Sequence, residues 1–276
     1  MINFNGEILQ NELMLSPNNR AFLYGDGLFE TLKIVDNKIL FLEDHYFRLM
    51  ASMRIVRMQI PSNFTQEFIE SEILNLVNHL KIEDSARVRM TVFRNEGGLY
   101  LPKTKTISYT IQASKLENKQ YVLSNVTCEV DLYKDFFVAK QLLSTLKTTN
   151  KMINITGSIF AEENNLQNCI LLNNDKNVVE VLNGNLFILL NNKLITPPVS
   201  EGCLNGIMRK QIISLAKNEE NLEVIEEIIS PFDLQKADEL FCTNVIGGIQ
   251  SITKYRKKEF KNELANLLIG KLNLSI

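Results

Sequence analysis

Four short segments carry residues able to do chemistry. Lys147, in Leu146-Lys147-Thr148, follows an apolar-polar stretch and precedes a helical pattern. Its amine could serve as nucleophile or base if its pKa were lowered, although a lysine is ordinarily solvated. Glu180 lies within Val178-Val179-Glu180-Val181-Leu182, an apolar strand pattern. A carboxylate there is costly unless a cation or donor meets it, and a structural partner is the commoner explanation. Leu204-Asn205-Gly206-Ile207-Met208-Arg209 opens a helix with a glycine that bares the backbone. Free N–H groups at such a start bind phosphate, and plain capping by Asn205 explains the same pattern. Finally, Phe241-Cys242-Thr243-Asn244 ends a strand and runs into Gly247-Gly248, which suits a loop held close to a ligand or a tight turn.

The surrounding pattern supplies elements to position these residues. Strands are expected at Phe29 to Val35 and Lys38 to Phe41 around an Asp36-Asn37 hairpin turn, then at Ala86 to Phe93 and Thr106 to Gln112. Two helices lie between them: Glu43 to Met58, with Phe47, Met50, Met53 and Val56 at helical spacing, and Thr65 to Leu80. The methionines read as core filler. Ala113 to Gln120, polar and rich in Lys, Glu and Asn, is the expected linker, giving domains 1–116 and 117–276. Beyond it come a strand at Val126 to Leu132, a helix at Lys151 to Asn164, and short strands at Cys169 to Leu172, Val178 to Leu182, Leu186 to Leu190 and Lys193 to Ile195. Gly206 to Lys217 resumes helical spacing with Asn205 as N-cap, followed by a strand near Glu239 to Thr243 and a helix from about Glu259.

Composition narrows the function. With 276 residues and 45% hydrophobic side chains the chain can bury about three quarters of its unfolded surface in two domains. Its 30 basic and 32 acidic residues make no basic field for nucleic acid. The four cysteines form no C-x-x-C pair and read as reduced core thiols. No apolar run approaches the roughly 20 residues of a membrane span, and the start lacks a signal-peptide pattern, so a cytoplasmic location is expected. His45 and His79 read as surface or helix-face residues, leaving little support for a metal site or a histidine triad.

Taken in order, the motifs resemble fold type IV of the pyridoxal-phosphate enzymes, the family of branched-chain and D-amino acid aminotransferases and of 4-amino-4-deoxychorismate lyase. The resemblance covers essentially the whole chain. It starts at Asn19 through Thr31, where Tyr24-Gly25-Asp26-Gly27-Leu28-Phe29-Glu30 is similar to a Y-G-D-G-x-F-E signature. It continues through His45-Tyr46-Phe47-Arg48-Leu49, Lys147, Glu180 with Asn185-Leu186-Phe187, Thr196-Pro197-Pro198, Gly206-Ile207-Met208-Arg209 and Ala237-Asp238-Glu239-Leu240-Phe241. The fold it implies is a two-domain α/β (α+β) protein with a smaller N-terminal domain and a larger, β-rich pseudo-barrel domain. It implies that Lys147 holds pyridoxal phosphate as an imine and then acts as base, and that Glu180 keeps the pyridine nitrogen protonated. Arg48 would grip the phosphate in a fork, with the backbone of Ile207, Met208, Asn244 and Val245 completing the cup. A homodimer is implied by the same analogy.

Two chemistries remain open within the family, elimination and transamination. Thr31 after Glu30, Thr243-Asn244 near the end, and Asn205-Gly206-Ile207-Met208-Arg209 are each similar to the lyase form. The expected substrate is then a small-molecule amine, 4-amino-4-deoxychorismate, with Phe29 lining its site and Thr31 relaying a proton. Lyases often carry an arginine just after a glycine pair to bind substrate carboxylate, whereas Gly97-Gly98 here precedes Leu99-Tyr100-Leu101-Pro102. Arg94, or Lys103 or Lys105, is the expected substitute. The alternatives are a class IV aminotransferase acting on a branched-chain or D-amino acid, and a cofactor-binding protein without catalysis, against which the presence of both Lys147 and Glu180 argues.

Overall fold

The computed structural model describes residues 1–10, 15–124 and 126–276. The chain divides into two units, Met1–Lys119 with Lys147–Asn150, and Gln120–Leu146 with Lys151–Ile276. The division falls three residues beyond the expected 116/117 boundary, because the supposed linker begins as strand: Ala113 to Lys115 pair with Val88 to Ala86. Lys147 itself, expected in the C-terminal domain, returns to the first unit.

The first unit contains β1 (Ile2–Phe4), β2 (Glu7–Leu9), α1 (Arg20–Tyr24), β3 (Gly27–Val35), β4 (Lys38–Ile39), α2 (Leu42–Ile55), α3 (Gln66–His79), β5 (Ser85–Arg94) and β6 (Ile107–Lys115). Its six-stranded sheet runs β2-β1-β6-β5-β3-β4, and the pairs with a recorded register are antiparallel. Asp36 and Asn37 turn β3 into β4 with φ of 47° and 63°, the left-handed pair that a two-residue hairpin needs. Strand alternation sorts the sheet. Leu28, Leu32 and Ile34 join Ala86, Val88, Met90 and Val92 as buried core on one face. Phe29, Thr31 and Lys33 stand on the other face, opposite Thr91, Arg89 and Arg87. In α2, Leu49, Met50 and Met53 are buried as the spacing predicts, while Phe47 is exposed. Glu43 and Asp44 in its first turn suit the helix dipole.

The second unit contains β7 (Glu129–Val138), α4 (Met152–Glu163), β8 (Asn168–Asn173), β9 (Val178–Val181), β10 (Asn185–Leu190), β11 (Lys193–Thr196), α5 (Ile207–Ala216), β12 (Glu223–Glu226), α6 (Asp233–Lys236), β13 (Glu239–Asn244), β14 (Gly248–Ile252), β15 (Lys254–Tyr255), β16 (Lys258–Glu259) and α7 (Glu263–Leu274). Two five-stranded sheets, β12-β11-β10-β13-β14 and β16-β15-β7-β8-β9, share one apolar core. Val130, Leu132, Ile170 and Val181 come to it from the second sheet, and Leu186, Ile188, Leu240 and Ile252 from the first. Two boundaries depart from the pattern reading. The strand expected at 126–132 starts at Glu129 and runs to Val138, and the last helix starts at Glu263 because Lys258 and Glu259 pair with Tyr255 and Lys254. All four cysteines are free and buried.

Candidate active site

In the first unit, residues 147–149 lie along the start of β3 like an added strand. Phe29 N–H donates to the Lys147 carbonyl at 2.9 Å and Thr149 N–H to the Gly27 carbonyl at 2.9 Å. This pairing sets the Lys147 Nζ 4.6 Å from the centre of the Phe29 ring. The Arg89 guanidinium stacks on the same ring at 3.7 Å. Thr31, the next residue on that face, opposes Arg89 across the β3–β5 pair, and Lys33 opposes Arg87. Lys33 is buried, and burial brings its amine down to about 8. Burial and the adjacent Arg87 push the Arg89 guanidinium below its usual range, although an arginine stays charged in any ordinary buffer. One sheet face therefore gathers Phe29, Thr31, Lys33 and Arg89 beside Lys147.

Arg89 was missed by the sequence reading. The signal that could have found it is the strand period: Arg87 and Arg89 alternate with buried Ala86, Val88 and Met90, so both had to share the face of Thr31. Arg94, the expected carboxylate ligand, has a different occupation. Its Nε donates to Asp26 at 2.9 Å, Nη1 to the Arg57 carbonyl at 3.0 Å and Nη2 to the Val56 carbonyl at 2.8 Å. All three nitrogens are spent on holding the β5 end, so the expectation for Arg94 is corrected. Lys103 packs its stem against Gly97. Asp26 of the Y-G-D-G segment also accepts from Arg20 Nε at 2.8 Å, and Arg20 Nη1 donates to the Leu99 carbonyl at 2.6 Å. Gly25, at φ 64°, closes α1 ahead of it in the left-handed conformation.

The opposite face of β3 carries Glu30, which is buried against α2. Arg48 donates to it twice, Nε to Oε1 at 2.8 Å and Nη2 to Oε2 at 2.5 Å, and His45 Nδ1 lies 2.7 Å from Oε2. Burial pushes the Glu30 carboxyl up, but the Arg48 charge and the bonds from His45 and Arg48 win and hold it at about 2. His45, expected on a surface or helix face, is thus buried beside a carboxylate that is remote in sequence. Arg48, expected to grip phosphate with its fork, directs Nε and Nη2 to Glu30.

The second unit holds the remaining residues. Glu180, half-buried on β9, accepts at Oε2 from the Leu204 N–H at 3.0 Å. The Leu204 carbonyl accepts from Asn185 Nδ2 at 2.8 Å. Helix α5 follows at once, with Gly206 rather than Asn205 as N-cap, a residue that offers no side-chain oxygen to its first turn. Ile207 and Met208 open that turn, in which there is no acidic residue. Its N–H groups and the positive end of the dipole suit a phosphate. Asn244 ends β13, and its Oδ1 accepts from the N–H of Ile246 and of Gly247, closing a turn around Val245. Thr243 next to it is buried with an unpartnered hydroxyl. Among the described residues, no group of three His, Cys, Asp or Glu could hold a metal ion, and no helix is long and apolar enough to cross a membrane.

These features meet a family pattern: residues 27–255 match the amino-transferase class IV family. The chain belongs to that family. The class IV chain is 29% identical over 272 residues to a putative branched-chain-amino-acid aminotransferase of Methanocaldococcus jannaschii, covering 98% of this chain and 93% of the relative. It is 25% identical over 268 residues to D-alanine aminotransferase of Bacillus licheniformis, covering 91% and 86%. Its fold is shared with a putative 4-amino-4-deoxychorismate lyase from Legionella pneumophila, at TM-score 0.86 and 22% identity over 97% of both chains. It is shared equally with a branched-chain aminotransferase from Thermoproteus uzoniensis, at TM-score 0.88 and 22% identity over 98% and 92%. The fold is therefore fold type IV, and the cofactor is pyridoxal phosphate. Taken unit by unit, the residues fit that group: in the second, the first turn of α5, with no acidic residue, suits its phosphate and the half-buried Glu180 carboxylate suits its pyridine nitrogen, and in the first the Lys147 amine suits its aldehyde.

Proposed function

We propose that this class IV enzyme is a lyase that eliminates pyruvate from 4-amino-4-deoxychorismate, forming 4-aminobenzoate, as a cytoplasmic homodimer. The observation that carries the reading is the cationic face beside Lys147. Arg89 and Lys33 share it with Thr31 and the Phe29 ring. A substrate with carboxylates gains a charge-assisted bond from the half-buried Arg89 there, whereas a branched aliphatic side chain would desolvate that guanidinium without return.

Lys147 is the proposed covalent anchor and base, Glu180 the partner of the ring nitrogen, and the backbone of Ile207, Met208, Asn244 and Val245 the phosphate cup, with Arg48 contributing its charge. When bound, pyridoxal phosphate supplies an electron sink for the carbanion that proton removal leaves. The Lys147 amine would accept the proton from the substrate carbon that bears its amino group. The ether bond at the neighbouring carbon then breaks, the ring becomes aromatic, and the enolpyruvyl oxygen takes a proton that the Thr31 hydroxyl can relay. Arg89 holds a substrate carboxylate over Phe29.

The test is product formation from 4-amino-4-deoxychorismate by the cofactor-loaded protein. Appearance of 4-aminobenzoate and pyruvate in equal amounts, absent with Lys147→Ala, supports the lyase. Its absence, together with conversion of branched-chain or D-amino acids to keto acids, would favour the transaminase reading that the named relatives suggest.

A further inference from the structure

The bonds around Leu204 join two features that cofactor binding uses separately. Its N–H is held by Glu180 Oε2 at 3.0 Å and its carbonyl by Asn185 Nδ2 at 2.8 Å. Two residues later Gly206 caps α5, and a Cβ built on Gly206 would lie 1.9 Å from Asn185 Oδ1. The Asn185 amide therefore touches both sides of the segment that enters the helix. Asn185 is itself buried and fixed in the ladder opposite Thr243, in the strand that ends at Asn244. A rigid amide in that place cannot follow a displaced loop, so the loop must follow the amide.

We propose that Asn185 is a positioning residue for the cofactor. Through Leu204 it locks the first turn of α5 to the Glu180 carboxylate, so that the phosphate contact and the ring-nitrogen contact are set as one unit. The absence of a side chain at Gly206 is part of the same device, because only glycine leaves room for the amide. The proposal rests on the reading of α5 as the phosphate cup and Glu180 as the ring partner.

Equilibrium dialysis of the apoprotein against pyridoxal phosphate and against pyridoxal, which lacks the phosphate, separates the possibilities. The wild type should prefer pyridoxal phosphate. Asn185→Ala and Gly206→Ala should each reduce that preference by about tenfold, because they misplace the phosphate contacts. The double variant should lose less than the product of the two single losses, since removing the amide gives the new Cβ its space. Equal weakening of both ligands by Asn185→Ala, or single losses that simply multiply, would overturn the positioning role. A wild type that binds both ligands alike would remove the phosphate-cup reading instead, and the proposal with it. If Asn185→Ala fails to fold, Gly206→Ala, which keeps the Asn185 amide in place, still decides: an unchanged preference for pyridoxal phosphate would overturn the proposal.

Discussion

The two units build polar sites by different means. In the first, Glu30, His45 and Arg48 form a buried cluster in which one carboxylate meets the Arg48 guanidinium and the His45 ring, whose Nε2 has no partner. In the second, Glu180, Leu204 and Asn185 form a bracket in which two side chains grip the backbone of one residue. A charge cluster is strong only while every member is present, because a partner left alone keeps its full desolvation cost. A backbone bracket grips main-chain groups that substitution leaves in place, so the loss of one gripping side chain acts mainly through geometry. The first arrangement should show itself in stability and acid response, the second in the precision of ligand placement.

That contrast can be broken at several points. The largest effect belongs to Lys147 of the first unit: Lys147→Ala should lower turnover by about four orders of magnitude or more while leaving circular dichroism unchanged. Glu180→Ala should cost activity and spare the fold. Next comes Glu30→Gln, which removes the buried charge that Arg48 Nε and Nη2 meet and should cost about 3 to 5 kcal/mol in urea unfolding. Its pH dependence follows from the sign of the shift. Glu30 is held at about 2 against an ordinary 4.5, so its contribution is complete above pH 4.5 and is lost as pH falls toward 2. The variant should lack that acid limb, and an unchanged limb would contradict the cluster. A smaller effect is expected at the substrate face, where Arg89→Ala should raise KM for a dicarboxylate about tenfold or more with less change in kcat. Arg94→Ala should instead lower the unfolding midpoint and leave KM alone. The smallest effect concerns the thiols: burial pushes Cys203 and Cys242 up to about 12 and Cys169 to about 11, so a disulfide reagent should label none of the three until the protein unfolds.

The same contrast explains what could be read from the residues alone. Strands β3 and β5, helices α2 and α3, and the short strands β8 to β11 followed from period and turn chemistry, since each buries one regular face. The resemblance then pointed to Lys147 and Glu180, because both are side chains at fixed places in a motif. Pairings between distant segments were not legible. Nothing near His45 in sequence announces Glu30, fifteen residues away across a hairpin, and nothing around Arg94 announces the carbonyls of Val56 and Arg57. The Asn205 cap failed for a related reason. Gly206 takes the cap position, and the Asn185 amide that crowds it comes from a distant strand, a contact that no local propensity records. Arg89 is the opposite case, since the alternation of β5 contained the answer and only its use as a face, rather than as a strand signal, was wanting.

One measurement bears most directly on the proposed chemistry: borohydride reduction of the holoprotein followed by peptide mass mapping. The expected result is a single phosphopyridoxyl group on the peptide containing Lys147, absent from Lys147→Ala. A group on the buried Lys33, whose amine at about 8 makes it the competing nucleophile of the same sheet face, would contradict the assignment, as would labelling scattered over surface lysines with Lys147 bare.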